Sequence, residues 1–373
     1  MRTDKRGLYL HIPFCLKKCN YCDFCSFALS SVDWRERYVD RLCEEIMTYE
    51  GQNIDIDSIF IGGGTPSLLN VAELERIVMC IRKCFDVSKD CEFTIEANPK
   101  TLDEEKLSSF VSLGVNRLSI GLQSIHENEM KILGRVHNFD DFLESYRLAR
   151  KCGIDNINVD LMYGIPEQTM DSFRKTVERI IDLSPEHVSL YGLILEEGTP
   201  FYEMKDKLAL PKEDSECDMY YLATRMLADA GYTHYEISNY AKAGFESRHN
   251  LKYWRCEEYI GIGLAAYSYF DGRRFGNTDN VEEYFSSDFA KYDTTGSLDI
   301  SDEAYEFVML GLRLKEGFSL SKYKDMFGED FIVGREEILN NFIKAGYMEI
   351  IDGRLSLTES GFYVSNSIIN ELI

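Results

Sequence analysis

Up to about Leu195, short apolar, β-rich runs alternate six times with stretches of helical period, and this alternation constrains the fold more than any other feature. The runs are LYLHIP from Leu8, SIFIGGG from Ser58, EFTIEAN from Glu92, RLSIGLQS from Arg117, NINVDLMYG from Asn156 and HVSLYGLIL from His187. Helical segments begin near Asp33, Val71, Leu102, Phe139 and Met170, most with Asp, Asn or Thr nearby as a cap. Parallel strands need crossovers long enough to hold a helix, so six βα units predict an α/β fold, a parallel sheet curled into an incomplete (β/α)6 barrel. An open doubly wound sheet gives much the same local pattern. The barrel is favoured because every unusual polar or glycine cluster falls at the C-terminal end of a strand, the active-site face of such folds.

A helix is predicted from Glu213 to Ala230, followed from Tyr235 to Asn277 by extended segments and loops that carry HNLKYW. From about Ser301 come three short helical runs, a hairpin YMEIIDGRLSLT with Asp-Gly at its turn, and a closing helix from Glu359. The expected division is a barrel over 1–235, an extended region over 236–290 and a small, mostly helical, winged-helix-like domain over 291–373. With 41 basic and 64 acidic side chains the formal charge is −23, so the surface field repels nucleic acid and anionic lipid and suits basic protein partners. The N-terminus lacks the apolar core of a secretory signal and no run is long enough to span a bilayer, which reads as cytoplasmic with no transmembrane segment.

Eleven cysteines, four of them in HIPFCLKKCNYCDFCSF, fit clustered thiolates in a reducing compartment better than a disulfide scaffold. Cys15, Cys19 and Cys22 stand at C-x3-C-x2-C directly after the first strand. Three thiolates hold three irons of a [4Fe–4S] cubane and leave the fourth open to a chelating small molecule. A zinc knot with Cys25 or His11 as fourth ligand is the alternative, whereas a plain electron-transfer cluster wants four thiolates. The other cysteines sit mostly in helical runs and read as small buried hydrophobes. At the following strand ends, Gly62, Gly63, Gly64 and Thr65 let the main chain approach a ligand. Glu96 and Gln123 can bond an amine or hydroxyls, Arg135 a carboxylate, and Asp160 ribose hydroxyls. Each has a bland reading as a cap or surface ion pair; together, after a cluster motif, they favour a nucleotide-like ligand.

With Tyr21 before its third cysteine, the C-x3-C-x2-C loop resembles the signature of radical S-adenosylmethionine (SAM) enzymes. YLHIPFC, IFIGGGTPS, IEANP, RLSIGLQS, LGRVHN, DLMYGIPEQT, YEISNYA and HNLKYW, in this order, further resemble the oxygen-independent coproporphyrinogen III oxidase group, above all its haem-chaperone branch, the HemW-like proteins. The resemblance implies that Cys15, Cys19 and Cys22 ligate the cluster, and that Tyr9, Tyr21, Gly63, Gly64, Thr65, Glu96, Gln123, Arg135 and Asp160 serve the cluster and SAM. It implies SAM cleavage to a 5′-deoxyadenosyl radical, haem held through His249 of HNxxYW, haem-acceptor proteins as partners, and an electron donor such as a flavodoxin or ferredoxin. The oxidases carry a fourth cysteine two positions after the third and a long segment ahead of the cluster. Here that position is Phe24, and only fourteen residues precede Cys15. Both argue against coproporphyrinogen decarboxylation, which stands as the alternative beside another radical SAM activity. Where HemW-like chains usually read GAAAHSY this one has GLAAYSY, so Tyr267 takes a histidine's place, either packed in an aromatic rim or as a substitute ligand.

Overall fold

The computed structural model describes residues 5–29, 31–289, 292–293 and 300–372. The six expected strands form: β1 (Arg6–Ile12), β2 (Ile54–Gly63), β3 (Phe85–Ala97), β4 (Arg117–Gln123), β5 (Asn156–Tyr163) and β6 (His187–Gly192). They lie in chain order, each parallel to its neighbour. The crossovers contain α1 (Val32–Met47), α2 (Val71–Cys84), α3 (Glu104–Ser112), α4 (Phe139–Lys151) and α5 (Met170–Leu183). Local chemistry starts these helices: Asn70 with Glu73, Asn138 with Asp141 and Thr169 with Ser172 form reciprocal caps that satisfy orphan amides.

Strand alternation then sorts the side chains. Leu118, Ile120 and Leu122 of β4 pack into the core that also holds Leu74, Ile77, Phe142 and Val177 of the helices. Ser119, Gly121 and Gln123 therefore turn to the other face. The same split runs through β3 and β5, so the helix side of the sheet is apolar and its inner side is lined with polar groups.

The sheet is larger than six strands. β7 (Thr233–Glu236) and β8 (Asn239–Ala241) extend it antiparallel beyond β6. At the opposite edge β9 (Tyr259–Ile262) pairs with β1 in parallel, and β10 (Tyr267–Phe270) and β11 (Arg273–Gly276) continue from it. The reading of Tyr235–Asn277 as extended segments and loops is corrected in one place: HNLKYW lies on a helix, α7 (Arg248–Trp254), after α6 (Glu213–Asp229). Its first amides find a distant acceptor, for the Glu92 carboxylate receives hydrogen bonds from Arg248 N and His249 N at 3.0 Å each.

The C-terminal part has helices Ile300–Gly311, Leu320–Phe327 and Glu336–Lys344 and a three-stranded antiparallel sheet. In its hairpin, Asp352 and Gly353 both have positive φ, as the two-residue Asp-Gly turn requires. The closing helix is split into Glu359–Tyr363 and Ser365–Leu372. Tyr220 of α6 enters this part's core and Leu314 bridges Glu236, which joins it to the barrel. The boundary drawn between 290 and 291 lies outside the described residues. No helix among the described residues is long and apolar enough to cross a membrane.

Candidate functional site

The cysteine loop leaves β1 at Pro13 and is closed by its own ends, where Phe14–Cys15 pairs with Phe27–Ala28. Its far side is fastened to the wall. Asn20 donates from its backbone to Leu133 O at 3.0 Å and from Nδ2 to Ile132 O at 2.8 Å, and accepts from Phe201 N at 3.0 Å. Beneath it Tyr9 OH bonds His11 Nδ1 at 2.9 Å, and His11 Nε2 bonds Cys25 O at 2.7 Å.

The three motif thiols are half-buried and form no disulfide. The Thr65 hydroxyl donates to Cys15 Sγ at 3.8 Å and Arg135 Nη1 to Cys19 Sγ at 3.6 Å, contacts that favour thiolate. Burial nevertheless pushes the Cys15 and Cys22 thiols above their ordinary value. Cys25 turns to the core beneath the loop. The zinc alternative needs ligands converging on one point. Among the described residues no three His, Cys, Asp or Glu side chains converge in this way, the motif thiols included, so what weighs against zinc is its fourth ligand: both nitrogens of His11 are engaged and Cys25 packs against the core.

Below the loop a cavity of about 520 Å³ opens into the sheet's polar inner side. Tyr21, Cys22, Glu96, Gln123 and Asp160 line it together. Glu96 accepts from Gly63 N at 3.0 Å. Burial first, then the nearby Asp160, raise its carboxyl to about 8. Asp160 is likewise raised by burial, although Asn158 Nδ2 donates to it at 2.8 Å. Gly63 has φ +114°, and a Cβ there would meet the His11 ring at 2.6 Å, so only glycine fits beneath the loop. Gln123 sits at φ +74° at a register shift between β4 and β5, a strained backbone of the kind found where ligands bind.

Arg135 spans the wall from Cys19 to Asn98 Oδ1, at 3.0 Å, and Gly121 O. Its Nε, like Gln123 Oε1, is enclosed without a partner. Three thiols on one fastened loop, with no fourth thiol turned toward them, plus an unmet donor and acceptor beside the cavity, suit a three-cysteine cluster and a small polar ligand.

Other predicted residues fall elsewhere. His249 is 1% exposed, its Nδ1 bonded to Ser58 Oγ at 3.0 Å, its Nε2 to Tyr253 OH at 2.8 Å, and its ring centred 5.4 Å from that of Phe60. Burial, then the charges of Lys252 and Arg117, lower it to about 3, so it is neutral. It lies under the cavity, where its neighbour Asn250 reaches the lining. Tyr267 does not pack in an aromatic rim; it is largely exposed at the start of β10. Sequence reasoning missed Arg117, Asn158, Ser189 and Tyr191, all on the lining. They share the inward strand face with Gln123 and Asp160, a period-2 signal that was available.

The Radical SAM superfamily pattern matches residues 9–180, and the HemN C-terminal domain matches residues 298–364. Proteins described as heme chaperone HemW are similar over the full chain. That of Lactococcus lactis is 36% identical, covering 100% of this chain and 98% of its own length. That of Bacillus subtilis is 35% identical, covering 99% of each, and that of Escherichia coli 34% identical, covering 97% of each. Among solved structures, the coproporphyrinogen III oxidase HemN of Escherichia coli, described as a radical SAM enzyme, superposes with a TM-score of 0.86 at 22% identity, covering 100% of this chain and 91% of that one. That likeness speaks to the fold alone.

Proposed function

Because the chain belongs to the HemW-like family of the radical SAM superfamily, we propose that it holds a [4Fe–4S] cluster on Cys15, Cys19 and Cys22, binds SAM beneath it, and carries haem to acceptor haem proteins. The observation that carries the reading is the cysteine loop itself: three thiols stand on one fastened loop at the cavity's edge, Cys22 on its lining, while Cys25 packs against the core. A cluster so bound leaves one iron open to the amino and carboxylate groups of SAM and supplies the electron for cleaving its sulfonium. The chain's own groups do the positioning. Thr65 and Arg135 donate to the sulfurs. Glu96, held neutral by burial up to about 8, gains from an ammonium the counter-charge its surroundings withhold. Gln123 and Asp160 offer acceptors at the next two strand ends.

Haem ligation by His249 requires its ring to abandon two hydrogen bonds and leave a site closed by Gly7, Ser58, Phe60 and Tyr253. We therefore assign His249 the role of an anchor that fixes Asn250 at the cavity floor, and give haem the cavity and its mouth. The mouth has exposed apolar residues, Phe24 and Ile194. Phe24 occupies the position of the oxidases' fourth cysteine, so coproporphyrinogen is expected to remain unconverted under anaerobic reducing conditions.

Haem titrated into anaerobically reconstituted protein should produce a Soret band that saturates near one haem per chain and that apo-myoglobin withdraws. A flat titration sinks the haem reading and leaves the cluster assignment to stand on iron and sulfide analysis.

A further inference from the structure

The cavity floor holds a charge with no counter-ion. Arg117 opens β4 and lines the cavity from below, on the face of Ser119 and Gln123. Its side chain is 2% exposed, yet the guanidinium forms no hydrogen bond or ion pair with any described residue, and its Nε is enclosed without a partner. Thr94, its register partner on β3, has an enclosed hydroxyl in the same condition. Asn156, its register partner on β5, likewise keeps an enclosed Oδ1 without a partner, so neither flanking strand pairs with the guanidinium, and the next amide along is spent. Asn158 receives His187 Nδ1 at 2.6 Å and Ser189 Oγ at 3.0 Å on its oxygen, while its amide serves Ser119 and Asp160. Glu96 and Asp160 feel the field of Arg117 but do not pair with it.

An arginine stays protonated under all ordinary conditions, and an unpaired charge away from water is among the costliest features a fold can keep. What the floor lacks is an anion. The planar fork of a guanidinium matches a carboxylate with two parallel hydrogen bonds. The other inward arginine, Arg135, is already committed to Asn98, Gly121 and Cys19. Six residues separate the Cα atoms of Arg117 and Gln123, roughly 20 Å along a strand. A ligand held by its amino-acid end at the cysteine loop therefore leaves Arg117 to a different carboxylate, deeper in the barrel.

Resting on the haem reading above, we propose that Arg117 is the carboxylate-binding residue of the cavity floor and that it takes an acidic side chain of the tetrapyrrole. The test titrates haem, haem dimethyl ester and SAM into cluster-loaded wild type, Arg117→Gln and Arg117→Lys. Haem affinity should fall about tenfold or more in Arg117→Gln, and by less in Arg117→Lys, which keeps the charge but not the fork. The diester should bind both wild type and Arg117→Gln equally weakly, and SAM affinity should stay within twofold. Ligand-free Arg117→Gln should melt no lower than wild type, because the substitution removes a buried unpaired charge; a purely structural arginine predicts the reverse. Equal haem binding by wild type and Arg117→Gln overturns the proposal. So does a loss confined to SAM, which assigns the carboxylate to the methionine moiety. Haem that binds none of the proteins overturns the functional reading first, and this assignment with it.

Discussion

The inner side of the barrel and the core of the C-terminal part solve burial in opposite ways. In the C-terminal part Phe307, Phe318, Tyr323 and Phe331 pack ring against ring, with Phe318 and Phe331 centred 5.1 Å apart at 88°. None of the enclosed, unpartnered polar side-chain atoms among the described residues belongs to 300–372, although the hydroxyl of Tyr220, which α6 brings into this core, is one of them. The barrel interior carries four on Thr94, Arg117, Gln123 and Arg135, together with two carboxyls whose ionisation burial opposes. Unmet hydrogen-bonding capacity and buried carboxyls gather where a ligand has to complete the structure, and they are sparse where packing alone is the task.

This contrast breaks or sharpens under substitution. Its largest test is Cys19→Ala, which should abolish the iron–sulfur absorption of reconstituted protein while leaving far-UV dichroism and the melting point of the metal-free chain almost unchanged. If the metal-free chain unfolds, the loop belongs to the packing side of the comparison. Phe331→Ala should do the opposite, costing about 3–5 kcal/mol in chemical denaturation while iron content per folded molecule holds. A loss below about 1 kcal/mol would mean that the C-terminal core is looser than its ring geometry indicates.

Glu96→Gln tests the interior more gently, through pH. A carboxyl raised to about 8 in the folded state, against an ordinary value near 4.5, keeps a proton that the unfolded chain has already lost. Its contribution is fully present below about 4.5 and is lost as pH rises through about 8. Ligand-free wild type should therefore lose stability over that window, on the order of a few kcal/mol, and Glu96→Gln should flatten the profile. Parallel profiles for the two proteins would place the opposed charge elsewhere.

Much of this was legible beforehand because it is written locally. The strand runs carry their alternation, the helix caps lie within four residues of what they cap, and three cysteines in eight positions name their own chemistry. What escaped depends on residues far apart. EYIGIG is four strand residues among glycines, and only pairing with β1 makes Tyr259–Ile262 part of the parallel sheet. HNLKYW starts its helix on two acceptors, the local cap Ser247, which takes Asn250 N, and Glu92, over 150 positions earlier, which takes the first two amides and which sequence alone does not place there. Arg117 and Asn158 looked like ordinary polar residues of a strand, because no run of sequence says that the carboxylates opposite them stand too far off, or are too protonated, to answer a charge.

The way Asn20 is tied has a mechanical corollary. It joins the cysteine loop to the turn at Ile132–Leu133 and to Phe201, which makes the lid and the far rim one stiff part. A molecule entering the barrel is then steered to the untied side, between Phe24 and Ile194. A disturbance of the cysteine loop would be transmitted through the same tether, so slackening at one end of the loop reaches the doorway at the other.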